Sequence, residues 1–337
     1  MAGLAGLLAG DAEITAGLVR TLEHLRARQG SEGQIASNVE HRDGYPARAS
    51  FGSLVPRLDA PLWYVIGIAL AARAGAIDPA PFRESVKRTV HLLDALEYNG
   101  RHLLYVPVGG DWADEYIYEG YVLHEQVLRA WALRLASETW SVPAWAEKAS
   151  AIEGAVRISY WPPEAAQRGY PLASFTPARV FEMFDLATCS LLALSGVAPP
   201  LGDAALDFTG MRFLSQGTLP PAFDPVIGEG DPDWPALSRY HLHGFRNRPH
   251  EYHNGGVWMI WLGWLGLSLA QAGRVDDLAQ LRSLVSARVS SQAYDFEEYF
   301  HGRTGAALGV RRMAYSATGI VFLQRALDPA TLALFAR

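Results

Sequence analysis

The strongest constraint on the fold of this chain is a helical repeat of apolar residues along most of its length. Apolar side chains return every three to four positions in ten segments, the spacing that gives a helix an apolar face. The segments are residues 11–28, 60–75, 81–97, 117–137, 142–159, 181–195, 203–214, 257–272, 275–291 and 314–326. Short connections alternate with long ones that are rich in Gly, Pro, Asp and aromatic residues. Helix pairs of this kind can close into a double ring, so we predict an all-α, (α/α)6 barrel with its long loops at one end.

The composition favours one soluble folded unit. Half of the 337 residues are hydrophobic and 19% are charged, so a large core can form and extensive disorder is not expected. We find no composition break that would mark a linker, and we expect a single domain over residues 1–337. The net charge of −6, without a long basic run, argues against nucleic acid as a partner. No stretch approaches ~18 uninterrupted apolar residues, so no membrane span is expected.

The single cysteine, Cys189, cannot form an internal disulfide, which favours a reducing compartment. The segment Met1–Leu8 lacks the basic region of a secretory signal. We therefore expect a cytoplasmic protein, and the sequence leaves a homo-oligomer open.

An acidic cluster beside a tryptophan is the first candidate for chemistry. Asp111–Tyr116 reads DWADEY, follows the pair Gly109–Gly110 and precedes the helix predicted from Ile117. Acidic residues suit a helix N-terminus, so capping alone would explain the carboxylates. Trp112 and the glycine pair favour a sugar site, because capping needs neither. Hydrolysis of a glycosidic bond requires a carboxylic acid that protonates the leaving oxygen and a carboxylate that activates water or attacks carbon.

A second acidic pair lies near the C-terminus, where Glu297 and Glu298 are flanked by Phe296, Tyr299 and Phe300. Glutamate pairs usually lie on a solvated face. Aromatic neighbours can instead desolvate one carboxyl group and raise its pKa, as a general acid or base requires.

Histidines offer an alternative chemistry. His241, His243, His250 and His253 cluster within 13 positions, and a His-x-His pair on a strand can bind metal. The spacing fits no standard zinc pattern, so we expect no metal and no cofactor. A sugar isomerase or epimerase, in which His241 and His253 move protons, stays open as a second function, and a sugar-binding module without activity as a third.

Four segments resemble, in family order, those of the neutral/alkaline invertases, glycoside hydrolase family 100. The third is the most specific, because Pro249–Trp258 reads PHEYHNGGVW and the family reads PWSYHNGGSW. The resemblance extends more distantly to other six-hairpin glycosidases, including trehalases and debranching-type α-glucosidases. The four segments are Val55–Tyr64, Asp111–Gln126, Pro249–Trp258 and Glu298–Tyr315.

The resemblance implies an inverting glycoside hydrolase that needs no metal, with Asp114 as the catalytic acid and Glu298 as the base. It implies that Asp59 lines the sugar subsite. The other substrate-binding candidates lie in or beside the matching segments, and they are Trp63, Asp111, Trp112, Tyr252, His253, Asn254 and Trp258.

Departures from the family pattern affect the expected substrate. Glu115 and Tyr116 stand where plant members have two arginines, and Ser316 to Thr318 replace the end of the family's YQTW. Sucrose is therefore only one candidate beside trehalose, glucosylglycerate-like solutes and short α-glucans. We expect a small α-linked glucoside or short saccharide, because aromatic residues beside Asp59 and Asn254 can stack on one sugar ring while the polar groups bind its hydroxyls.

Overall fold

The computed structural model describes residues 1–52, 55–97, 100–239, 244–291 and 293–336. Helices, with the two short 3-10 segments included, make up 53% of the described residues, well above the roughly one third of an average soluble domain, which confirms the all-α prediction. The helices are α1 (Ala2–Ala9), α2 (Ala12–Ala27), α3 (Asp59–Arg73), α4 (Arg83–Ala95), α5 (Leu123–Trp140), α6 (Pro143–Ser159), α7 (Pro163–Arg168), α8 (Leu186–Ser195), α9 (Pro199–Arg212), α10 (Trp234–Leu237), α11 (Met259–Gln271), α12 (Val275–Ser290), α13 (Ala314–Arg325) and α14 (Pro329–Leu334).

Six of these helices form a closed inner ring. Each of α1, α3, α5, α8, α11 and α13 packs against the next in this order, and α13 packs back against α1. Outer helices cover this ring, as α2 covers α1 and α12 covers α11. Hydrogen bonds attach two further outer helices: Tyr64 of α3 bonds to Ser85 of α4, and Arg73 of α3 donates to the carbonyl of Leu334 in α14. This is the predicted (α/α)6 architecture.

Inner and outer helices differ in how much of their surface is apolar. Every residue of α8 is buried and α11 is buried almost throughout, whereas α12 buries only Leu278, Leu281 and Val285. A helix that is apolar on all sides must lie inside, and an amphipathic one covers it. Close packing in the inner ring depends on glycine, because a Cβ on Gly263 of α11 would lie 2.6 Å from the Cα of Gly319 in α13.

Short strands fix the loops that precede the inner helices. Val257 and Phe300 exchange two backbone hydrogen bonds of 2.8 Å, which join the loop before α11 to the loop before α13. The strands are β1 (Asn38–Glu40), β2 (Arg48–Ser50), β3 (Tyr121–Val122), β4 (Ser174–Phe175), β5 (Val180–Phe181), β6 (Phe184–Asp185), β7 (Phe223–Asp224), β8 (Tyr299–Phe300) and β9 (Ala307–Leu308). They pair antiparallel as β1–β2, β3–β4–β5, β6–β7 and β8–β9.

One helix start differs from the prediction in a way that matters for function. The helix predicted from Ile117 begins at Leu123, because Gly120 has φ of +88° and pairs with Val106 as an isolated bridge. The acidic cluster therefore lies in a loop and does not cap α5. Among the described residues, none of the helices has the length and apolar character needed to cross a membrane.

Candidate active site

Two predicted catalytic and two predicted substrate-binding residues lie at the end of the barrel where the inner helices begin. Asp59 is the first residue of α3, and Asp114 lies in the loop before α5. Trp258 immediately precedes α11, and Glu298 lies in the loop before α13. Helix N-termini carry partial positive charge and favour carboxylates, so this end of the barrel suits an acidic site.

Arg57 links two of the predicted acids. Its Nη1 lies 2.9 Å from Oδ2 of Asp114, and its Nε lies 3.7 Å from Oδ1 of Asp59. Burial raises the pKa of Asp59, and the positive charge of Arg57 offsets part of that rise. Asp59 and Asp114 therefore share one cation in one site.

The three acids of the first cluster have different environments. Asp111 is buried, accepts the backbone N–H of Ala113 at 3.0 Å and accepts the Tyr118 hydroxyl, and burial raises its pKa. Glu115 is buried and forms a two-pronged pair with Arg246. The side chain of Asp114 is 40% exposed, so it is the accessible carboxyl group of the cluster.

In the second acidic pair, too, one carboxyl group is buried and the other is more accessible. Glu297 is buried, where its Oε2 accepts the backbone N–H of Asp295 at 2.8 Å and its Oε1 lies 3.5 Å from Nε of Arg311. Glu298 is half-buried, and its Oε2 accepts a backbone N–H from Val310 at 3.3 Å. Glu298 is thus the more loosely held carboxyl group of the pair.

Electrostatic effects join the two clusters. Burial raises the pKa of Glu298, Arg246 lowers it, and the negative charges of Asp114 and Glu115 raise it further. Burial also raises the pKa of the Tyr252 hydroxyl, to which Asp114, Glu298 and Glu115 add their negative charges. Asp114 and Glu298 therefore act on one another and on the same phenol.

Aromatic rings form a continuous wall beside these acids. Trp112 stacks on Phe223 with centroids 5.5 Å apart and meets His253 edge-on at 5.1 Å. Trp258 stacks on His253 at 5.4 Å and on Tyr299 at 5.7 Å. Of the predicted aromatic contacts, Tyr252 and Trp258 are buried among other rings, while Trp112 and Trp63 stay partly exposed. Trp63 of α3 packs against Trp264 of α11, with ring centroids 5.5 Å apart.

His253 and Asn254 are buried residues of the loop that precedes α11. The His253 side chain is buried, and burial lowers its pKa well below the usual range, so its imidazole is neutral. Asn254 is fully buried, and its carboxamide bonds to both backbone groups of Ile227 and to the carbonyl of Asn247. These bonds hold the loop before α11 against the segment around Ile227, and the substrate-binding role of Asn254 stays a prediction. His241 and His243 lie outside the described residues.

Three residues near the site, Arg246, Glu125 and Asp185, were not among the predicted site residues. Arg246 reaches Glu115 across 131 positions. Glu125 of α5 is fully buried, neither of its carboxyl oxygens has a hydrogen-bond partner among the described residues, and burial raises its pKa well above the usual value. Asp185 accepts the backbone N–H of Thr188 at the start of α8, and burial raises its pKa to about 7.

No cluster of three or more His, Cys, Asp or Glu side chains in the described part of the chain has the geometry to hold a metal ion.

Comparisons with known proteins gave one matching family model and a set of solved structures with a similar fold. The family model described as alkaline and neutral invertase matches residues 235–327. A search of curated proteins gave no match.

Solved structures share the fold at low identity. The GH63 mannosylglycerate hydrolase from Thermus thermophilus, in complex with glucose, is 15% identical and has a TM-score of 0.67, with 96% of this chain and 91% of that chain covered. A rhamnosidase from Klebsiella oxytoca with rhamnose bound is 14% identical, with a TM-score of 0.62 and coverage of 90% and 53%. A GH8 endo-β-1,4-glucanase from an Achatina fulica gut metagenomic library is 15% identical, with a TM-score of 0.56 and coverage of 93% and 95%. At these identities the likeness shows the fold.

Proposed function

We propose that this chain, a glycoside hydrolase with the six-hairpin glycosidase fold, cleaves a small α-linked glucoside or short saccharide with inversion at the anomeric carbon. One observation carries the proposal. Each of two acidic clusters offers one accessible carboxyl group, Asp114 and Glu298, while Asp111, Glu115 and Glu297 are buried in hydrogen bonds or ion pairs. Glycoside hydrolysis requires at least two carboxyl groups that face the same site.

In the proposed mechanism Asp114 donates its proton to the glycosidic oxygen as the bond to the anomeric carbon breaks. Glu298 removes a proton from a water molecule that attacks the opposite face of the sugar ring. The raised pKa of Glu298 makes its carboxylate a stronger base than an exposed glutamate. Inversion requires room for that water, with carboxyl oxygens ~6.5–9.5 Å apart.

We propose that the site binds one sugar ring of this substrate. Trp112 offers a partly exposed ring beside the acids, and aromatic faces commonly stack on sugar rings while polar groups bind the hydroxyls. Asp59, held by Arg57, is positioned to accept a hydroxyl hydrogen bond. The similar structure from Thermus thermophilus holds glucose, which supports a glucose-sized ring.

The isomerase alternative has less support from the described residues. It needs a histidine that exchanges protons with substrate, and His253 is buried between Tyr252 and Trp258. We therefore keep hydrolysis as the proposal.

Two variants test the roles. Asp114→Asn should nearly abolish cleavage of disaccharides and should harm activated aryl glycosides less, because a good leaving group needs little protonation. Glu298→Gln should impair both substrates alike, because water activation is lost in either case. NMR of the first product should show the β-anomer from an α-glucoside. Retention of configuration, or a larger loss in Asp111→Asn than in Asp114→Asn, would refute the assignment.

A further inference from the structure

Backbone and side-chain contacts hold Arg57 against the loop that carries Asp114. The backbone N–H of Leu58 donates to the carbonyl of Gly110 at 2.9 Å. Nη1 of Arg57 lies 2.9 Å from Oδ2 of Asp114, and its Nε lies 3.7 Å from Oδ1 of Asp59. The guanidinium group is therefore fixed between two carboxyl groups of the site.

One nitrogen of this guanidinium group has no protein partner. Nη2 makes no hydrogen bond or ion pair with any of the described residues, and the Arg57 side chain is 23% exposed. Around the planar guanidinium group, Nη2 lies between Nε and Nη1. Its two N–H groups therefore point into the space between Asp59 and Asp114, which is where the substrate has to lie if both aspartates act on it.

The role proposed for Asp114 brings the leaving group to Arg57. A general acid must lie within hydrogen-bond reach of the oxygen that it protonates, about 2.6–3.2 Å. Arg57 occupies Oδ2 of Asp114 at 2.9 Å, so Oδ1 is the oxygen that donates the proton. The leaving group therefore begins at an oxygen that is bound to the same carboxyl group as Arg57.

We propose that Arg57 binds the leaving group, with Nη2 donating a hydrogen bond to an oxygen atom that the leaving group carries next to the glycosidic oxygen. The inference rests on the proposed function and adds a requirement for its substrate. A polyol or a second sugar offers a hydroxyl oxygen at this place, whereas a simple alkyl alcohol does not. Hydrogen bonds from a charged donor are stronger than those from a neutral one, so this contact should contribute to specificity.

Two glucosides that differ only in the hydroxyl groups of the leaving group test this role. We would measure kcat/KM for 2,3-dihydroxypropyl α-glucoside and for propyl α-glucoside. Loss of a hydrogen bond to a charged group should cost about 10-fold or more, so the unmodified enzyme should prefer the dihydroxypropyl glucoside by at least that factor. Equal values for the two glucosides would overturn the inference while leaving hydrolysis intact. If neither glucoside is hydrolysed, the proposed function is refuted instead.

A substitution tests the cause. Arg57→Met removes the donor and should lower the ratio of the two kcat/KM values by about 10-fold or more. An arginine that only held Asp59 and Asp114 in place would, when removed, slow both glucosides equally. The matched control is Arg168→Met, because Glu182 holds Arg168 at the same 2.9 Å in a pair that shares no residue with the site. The control should leave the ratio unchanged.

The ratio does not depend on how much active protein each preparation contains. An unchanged ratio in Arg57→Met, or a ratio that falls as far in Arg168→Met, would overturn the role of Arg57. Methyl α-glucoside and its 2-deoxy analogue show whether Nη2 binds the sugar ring instead, and a change in their ratio alone would also overturn the inference. If Arg57→Met does not fold, the preference of the unmodified enzyme still decides it.

Discussion

Asp185 should give the stability of this protein a pH dependence that one substitution removes. Its side chain is 2% exposed at the start of α8, where Oδ1 accepts the backbone N–H of Thr188 at 3.1 Å. Burial raises its pKa from 3.8 to about 7. Between these values the folded protein keeps a proton that the unfolded chain has lost. The free energy of unfolding therefore falls as the pH rises, and the stability present below pH 3.8 is lost as the pH approaches 7.

The size of the effect follows from the two pKa values. A rise from 3.8 to about 7 corresponds to about 4 kcal/mol, because each pH unit is worth about 1.4 kcal/mol. A chain of 337 residues has an unfolding entropy of about 0.7 kcal/mol per kelvin, so this energy corresponds to about 6 °C in Tm. Asp185→Asn keeps an acceptor oxygen for Thr188 and cannot ionise. The Tm of the variant minus that of the unmodified protein should therefore increase by about 6 °C from about pH 4 to about pH 7.

Thermal melts at four values from about pH 4 to about pH 7 measure this difference. Asp11→Asn is the matched control, because Asp11 caps α2 in the same way, with Ile14 N donating to it at 3.0 Å, but is exposed to solvent. The control difference should change little with pH. A Tm difference for Asp185→Asn that stays constant across the series, or a control that moves as much, would show that the reasoning is wrong.

Two further predictions concern residues that position the acids. Gly309 has φ of +82°, and a Cβ there would lie 2.5 Å from Oε2 of Glu298, so Gly309→Ala should displace that carboxylate and lower kcat by about 100-fold. Gly273→Ala, at φ of +70° with open space around it, is the control, and an equal loss there would assign the effect to backbone strain. Arg57→Met removes the charge that lowers the pKa of Asp59, so the pH below which protonation of Asp59 weakens substrate binding, measured as a rise in KM, should be higher in the variant; an unchanged or lower pH would contradict this.

The fold was largely predictable because the sequence signal is local. A helix three or more turns long repeats its apolar pattern several times, and the ten predicted segments each correspond to an observed helix. The helices of the described chain that the pattern missed are short, and α1 consists only of Ala, Gly and Leu, so it shows no polar face. The predicted start of α5 at Ile117 was wrong, because a backbone bridge to Val106 holds Gly120 out of the helix, and Val106 lies outside the predicted segment.

The site was predictable in part. Asp59, Asp114 and Glu298 come from segments with a recognisable pattern, and their catalytic and binding roles stay predictions. Arg246 could not be identified as a site residue from the sequence, because only its ion pair with Glu115, which lies far away in the sequence, places it in the site. Long-range ion pairs leave no local pattern, so the pair between Arg246 and Glu115 became visible only in three dimensions.

Asn247 shows how such distant segments are held together. Its Nδ2 donates to the carbonyl of Glu115 at 2.6 Å, across 132 positions, and its Oδ1 accepts the backbone N–H groups of His253 and Asn254. Asn254 in turn bonds to Ile227. The buried side chains of Asn247 and Asn254 therefore join three loops, which contain Glu115, Ile227 and His253. The three loops form a cooperative unit, in which opening any one loop breaks bonds in the other two.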